Sequence, residues 1–126
     1  MPGGAEEAAR TSDARMTVRR MGFAYPPAMS GHWNRKRPEF SQIVNAASLA
    51  MPYLEPYLIR TMRAARPQIR DQALAADLDS YVAQEAAHYR QHRTFNEELK
   101  ARGYRSIEGL EAKIDASYAK IEAKGT

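Results

Sequence analysis

The chain has 126 residues, 44% of them hydrophobic and 27% charged, a length and composition that predict one globular domain. It contains no cysteine, which excludes disulfides, thiolate metal ligands and cysteine nucleophiles and is consistent with a cytoplasmic protein. The net charge of +4 lies entirely before residue 38, because residues 39–126 carry twelve basic and twelve acidic side chains. This neutral body argues against nucleic-acid binding, and the lack of a long apolar run argues against a membrane protein.

The first part of the chain is predicted to contain no regular structure. Residues 1–18 are small, charged and without periodicity, so we expect a disordered leader. Residues 19–38 are interrupted by Pro26, Pro27, Gly31 and Pro38, which predicts an irregular segment. From residue 19 to residue 126 we predict a single helical domain, onto which the aromatic side chains Phe23, Tyr25 and Trp33 anchor the irregular segment.

A first helix is predicted over about residues 39–66. Residues on one of its faces recur at steps of three and four, namely Val44, Ser48, Met51, Glu55, Leu58 and Met62. Pro52 and Pro56 interrupt this helix, and an interior proline costs about 3 kcal/mol because it removes a backbone donor and crowds the preceding turn. We therefore expect a kink beside Glu55 or a division into two shorter helices.

Two further helices are predicted, over about residues 71–102 and 106–124. Asp71 is the expected N-cap of the second helix and Gly103 its stop. One face of this helix, here called its stripe, repeats at alternating steps of four and three residues without interruption. Its members are Leu74, Leu78, Tyr81, Glu85, His88, His92, Phe95 and Leu99. The prediction is an all-α fold, an antiparallel helical hairpin plus a third helix of the kind found in helical bundles.

Three titratable side chains stand together in the middle of the second stripe. Glu85 and His88 are separated by three residues and His92 follows four later, so all three point into one narrow sector of the helix. Carboxylate and imidazole ligands in this Glu-x-x-His arrangement suit iron, manganese or zinc. Glu55, on the predicted face of the first helix, lies at a similar distance from the turn and can supply a further carboxylate.

The pattern leaves other interpretations open. Glu85 and His88 can form a satisfied core pair without metal, and Glu55 can be a half-exposed residue of a kinked helix. His92 can be a ligand, the general base of a reaction, or a histidine outside the metal site. The prediction takes Glu55, Glu85 and His88 as metal ligands and His92 as the catalytic residue, with one or two divalent metal ions as cofactor.

Two segments, MPYLEPYLIRTMRAAR and DLDSYVAQEAAHYRQHRTFNEEL, resemble the predicted metal-dependent hydrolases of the ferritin-like, helical type. Those proteins carry Pro-x-Gly-Glu in the first core helix and Gln-Glu-Ala-x-His-x-x-x-His-x-x-Phe-Asn in the second. The matching positions are Pro52 and Glu55, followed by Gln84, Glu85, Ala86, His88, His92, Phe95 and Asn96. Leu54 departs from the pattern where the family has glycine. The resemblance covers roughly residues 17–125.

Members of that family are typically about twice as long, and their second half supplies a second set of ligands. The resemblance therefore implies a ferritin-like half-bundle. We expect either a homodimer that pairs two copies or a missing C-terminal half. A degenerate relative that no longer binds metal is the third explanation.

Three functions are consistent with this sequence. The resemblance favours a metal-dependent hydrolase acting on a small-molecule substrate. A di-iron oxidoreductase or ferroxidase suits the same carboxylate and histidine ligands. A non-catalytic helical assembly module, in which buried polar groups fix the register of partner helices, is the third.

Overall fold

The computed structural model describes residues 16–125, which form three α-helices and no strand. They are α1 (Pro38–Ala65), α2 (Gln72–Ala101) and α3 (Ile107–Ala123), with a 3-10 turn (Arg66–Gln68) between the first two. The predicted all-α class is confirmed. The predicted disordered leader falls largely on residues 1–15, which lie outside the described residues. Among the helices described, none is long and apolar enough to cross a membrane.

Helix α1 continues through both of its interior prolines as one helix, so the alternative of two shorter helices is wrong, and the kink expected beside Glu55 stays a prediction. Pro38 stands at its first turn, where the missing backbone donor costs nothing and the fixed φ favours a helix start. Pro52 leaves the carbonyl of Ser48 without its intrahelical donor. The side-chain amide of Asn96 on α2 donates to this carbonyl at 2.9 Å, so a partner helix repairs the defect.

Helices α1 and α2 form an antiparallel hairpin. Ser48 of α1 contacts Asn96 of α2, whereas Glu55, two turns later, contacts His88, two turns earlier on α2. Asp71 caps α2 as predicted, its carboxylate accepting from the amide of Leu74 at 3.0 Å. Gly103 follows the helix with φ of +98°, a left-handed conformation that ends helices and favours glycine.

Helix α3 packs on α1 and runs in the same direction. Its contacts with α1 advance along both helices: Tyr53 donates to Glu111 at 2.8 Å, Tyr57 stacks against Tyr118, and Arg60 pairs with Glu122 at 2.6 Å. The third helix therefore flanks the hairpin on one side. The ferritin-like arrangement of these three helices stays a prediction.

The residues buried on α1 and α2 are mostly small or polar. On α2 they are Ala75, Ala87, Asn96 and Leu99, and on α1 they are Ser41, Asn45, Ser48 and Glu55. Of the predicted α2 face only Leu99 is fully buried, whereas Leu74, predicted to face the core, is 56% exposed. Small residues let two helices approach closely, and most of the larger residues of that face are then left partly exposed.

The segment 16–37, here called the leader segment, runs in an irregular conformation beside the hairpin. The Arg102 guanidinium at the end of α2 donates to the carbonyls of Pro26 and Met29. Trp33 donates through its indole nitrogen to Asn45 at 2.9 Å. Gly31 is buried against the ring of Tyr104, where a Cβ would lie 2.1 Å from the hydroxyl oxygen. The leader segment is thus held at several points along the two helices.

Candidate metal centre

Glu55 of α1 and the two histidines of α2 converge in the middle of the hairpin. One ligand atom from each of Glu55, His88 and His92 lies within 4.8 Å of the other two. The Nδ1 atom of His88 is 3.3 Å from Oε1 of Glu55, and Nε2 of His92 is 3.9 Å from the same oxygen. The histidines are one helical turn apart on α2, which brings their Nε2 atoms to 2.8 Å.

The Glu55 carboxylate is buried without a hydrogen-bond donor. The residue is 1% exposed, and neither of its oxygens has a hydrogen-bond partner. Burial, together with the nearby negative charge of Glu85, raises the pKa of Glu55 from 4.5 to about 7. A buried carboxylate in this state is costly unless a proton or a cation neutralises it.

Hydrogen bonds fix the tautomer of His92. The amide nitrogen of Asn96 donates to a backbone carbonyl, so its Oδ1 faces Ser48 and accepts the Ser48 hydroxyl proton at 2.7 Å. Having donated its only proton, the Ser48 oxygen accepts from Nδ1–H of His92 at 2.8 Å. The lone pair of His92 is therefore on Nε2, the atom that faces Glu55 and His88.

Protonation of His92 is also suppressed. Burial lowers the pKa of its imidazole, and the proximity of His88 lowers it further. A neutral imidazole with its lone pair directed into a cluster and its other nitrogen bonded to an orienting group is the usual state of a histidine ligand. Ser48 and Asn96 thus act on His92 as the orienting groups of metal sites do.

These three side chains fit a divalent metal ion. One carboxylate oxygen and two imidazole nitrogens lie within 4.8 Å of one another, so a small shift of these side chains would let all three bind one ion. The two Nε2 atoms, 2.8 Å apart, are within hydrogen-bond distance of each other. A cation would also neutralise the carboxylate of Glu55, which accepts no hydrogen bond. The donor set of one carboxylate and two imidazoles suits zinc, manganese or iron.

Glu85, predicted as a ligand, lies close to this cluster without belonging to the group of three. Its negative charge contributes to the raised pKa of Glu55. Together with burial it also raises the pKa of the Tyr81 hydroxyl, one turn earlier on α2. Its predicted ligation stays a prediction, as does the predicted role of His92 as general base.

Sequence reasoning missed the groups that orient His92. Asn96 appeared only as a matching position of a motif, and Ser48 only as a member of a helical face. The available signal was a pair of small polar residues in a seam, next to a proline that frees a carbonyl. Pairing them required the register of α1 against α2, which the sequence alone does not provide.

Comparison with known proteins gives one match. A family model described as predicted metal-dependent hydrolase matches residues 17–125, which is most of the chain. No curated protein and no solved structure matches. The matched range spans the leader segment and all three helices, and so includes every residue of the Glu55, His88 and His92 cluster.

Proposed function

We propose that this chain, which belongs to the family of predicted metal-dependent hydrolases, binds one divalent metal ion through Glu55, His88 and His92 and hydrolyses a small-molecule substrate. The observation that supports this most strongly is the buried Glu55 carboxylate, which has two imidazoles beside it and no hydrogen-bond donor. A divalent ion in such a site supplies Lewis-acid polarisation and makes water a stronger nucleophile at neutral pH.

We assign His92 to the metal rather than to proton transfer. Its Nδ1 atom is committed to the Ser48 hydroxyl, which leaves only Nε2, and Nε2 faces Glu55 and His88. One nitrogen cannot hold an ion and accept a proton at the same time. The earlier prediction of His92 as general base therefore fits the geometry less well than ligation.

We assign the role of general base to Glu85. It lies near enough to Glu55 for its charge to act on that group, yet outside the cluster of three ligand atoms. A carboxylate next to an ion can accept a proton from water without competing for the same coordination position. The Glu85→Gln variant is then expected to retain the metal and lose turnover. Loss of metal in this variant would show instead that Glu85 is a ligand.

We further propose that a second copy of the chain covers the site. The side chain of His88 is 49% exposed, so one face of the site is open. Three protein ligands leave coordination positions open. A symmetric dimer would cover this face, and a solution mass of twice 14.2 kDa is its test. A C-terminal half from a longer chain is the other arrangement that would provide the same cover.

A di-iron redox protein is the second candidate function, and the proximity of two carboxylates favours it. Glu85 and Glu55 lie close enough for one charge to affect the other, as in sites that bridge two ions. Aerobic addition of ferrous iron would then consume oxygen and produce a coloured ferric protein. Binding of iron without oxygen consumption would exclude this function.

Hydrolysis is tested with the full chain, stripped with a chelator and reloaded separately with zinc, manganese or ferrous iron. Panels of carboxylic ester, amide and phosphoester substrates are then compared for wild type and His92→Ala. We expect activity that needs the added metal and is lost in His92→Ala. Failure of the metal-loaded protein on every panel would contradict the proposed hydrolysis.

A further inference from the structure

An open cavity adjoins the metal centre, between the hairpin and the leader segment. Its volume is about 380 Å³, and its apolar lining comes from Phe23, Tyr25, Met29, Trp33, Val44 and Phe95. His88 and His92 contribute to the same lining, so the cavity and the metal ligands share a wall. Tyr25 stacks on Phe95 with ring centroids 5.7 Å apart, which fixes the leader segment against α2.

The size of this cavity suits a small organic molecule. Ligand sites in proteins begin at about 300 Å³. An engineered apolar cavity of about 150 Å³ holds benzene, so 380 Å³ has room for about 15 non-hydrogen atoms. An acyl chain of eight carbons with its carbonyl group fits within that limit.

The charge of the lining restricts what the molecule can be. None of the described residues that line the cavity is a lysine, arginine, aspartate or glutamate. A phosphomonoester or phosphodiester would bring at least one negative charge into a mainly apolar space whose described lining has no lysine or arginine, at a desolvation cost. A neutral carboxylic ester has no such cost, and its apolar part gains from leaving water.

We propose that this cavity binds the acyl chain of a medium-chain carboxylic ester and places its carbonyl group beside His88 and His92. The inference rests on the proposed hydrolase function and specifies its substrate class. His88 and His92 belong to the lining, so a carbonyl group that contacts this part of the wall lies next to the ligand atoms. The leader segment supplies three of the aromatic walls, which makes it part of the substrate site.

The reaction balances with water as the only co-substrate. The water oxygen bonds to the acyl carbon while the bond from that carbon to the alkoxy oxygen breaks. One proton of the water passes to the departing alkoxide and gives an alcohol. The other remains on the carboxylic acid and is released at neutral pH. No oxidant or reductant is needed.

Binding is tested separately from catalysis with neutral alcohols. Trp33 is the only tryptophan and lines the cavity, so its fluorescence reports occupancy directly. Titration of the full chain with 1-butanol, 1-hexanol and 1-octanol should show affinity rising about fourfold per added methylene. Val44→Phe places a larger side chain in the cavity and should weaken octanol binding at least tenfold. Ile43→Phe, at an exposed neighbouring position on α1, is the matched control.

Catalysis is then measured with p-nitrophenyl acetate, butyrate, hexanoate and octanoate on the metal-loaded protein. We expect kcat/KM to rise with acyl length in wild type and Ile43→Phe, and the rise to be lost in Val44→Phe with its helical circular dichroism unchanged. Hydrolysis without dependence on acyl length would overturn the inference and leave the proposed function intact. Alcohol binding without ester hydrolysis would overturn the ester assignment, and hydrolysis itself would be contradicted only if the amide and phosphoester panels failed as well. Alcohol affinity that is independent of chain length would overturn the apolar site itself.

Discussion

Replacement of Glu55 by glutamine distinguishes two roles of this carboxylate, that of a metal ligand and that of a partner in a structural ion pair. A pKa of about 7 in the folded protein, against 4.5 as the ordinary value, means that folding favours the protonated carboxyl. The ionised form is destabilised by about 3 kcal/mol, at 1.36 kcal/mol for each tenfold change in the proton equilibrium. Without metal, the free energy of unfolding should therefore fall as the pH rises from 4.5 through 7.

Glu55→Gln removes the charge and with it this dependence on pH. In the presence of a chelator, we expect the variant to match wild type near pH 5 and to be more stable by about 3 kcal/mol at pH 8. Urea unfolding followed by circular dichroism at the two pH values measures the difference. Added zinc or manganese should reverse the order at pH 8, because the metal stabilises only the protein that retains its carboxylate.

The opposite result would refute this reasoning. If Glu55 were held by an ion pair with a protonated His88, loss of its charge would leave that imidazolium without its partner. Glu55→Gln would then be less stable than wild type at every pH, and metal would make no difference. Glu97→Gln, which changes a surface carboxylate on α2, should alter stability by only a few tenths of a kcal/mol in both buffers.

Three further predictions follow from the same geometry. Ser48→Ala should lower metal affinity by about 10–100-fold in a chelator competition, since the orienting group of a histidine ligand is lost, whereas Ser117→Ala on exposed α3 should not. Metal affinity should fall about tenfold per pH unit below pH 7, because Glu55 must release a proton to bind; calorimetry at several pH values measures this. Gly31→Ala should destabilise by about 1–3 kcal/mol in urea unfolding, whereas Gly22→Ala, with open space around it, should leave stability unchanged.

Much of the fold could be predicted from periodicity and punctuation. Asp71 and Gly103 marked the ends of α2 because an N-cap carboxylate and a left-handed glycine are local requirements. Glu55 was identified as a seam carboxylate by its spacing alone. Whether α1 would continue through Pro52 or divide could not be decided, since the sequence does not show that a side chain from α2 would satisfy the carbonyl freed by this proline.

The arrangement of the site could not be predicted for a similar reason, because it depends on how α2 packs against α1. A stripe of large residues predicted which sector of α2 was important, but the interface forms through small residues such as Ala75 and Ala87. Because these small residues face α1, His88 lies at the edge of the interface and His92 lies closer to α1, where its imidazole contacts Ser48. The cavity depends on how the irregular leader segment docks, and irregular segments carry no period from which docking can be predicted.

The central claim is that Glu55, His88 and His92 hold one metal ion. Elemental analysis of the purified chain, with its solution mass measured on the same sample, tests this most directly. We expect about one equivalent of zinc, manganese or iron per chain in wild type and none in the double variant Glu55→Ala with His92→Ala, both folded by circular dichroism. Equal metal content in the two proteins, or none in wild type after reconstitution, would contradict it.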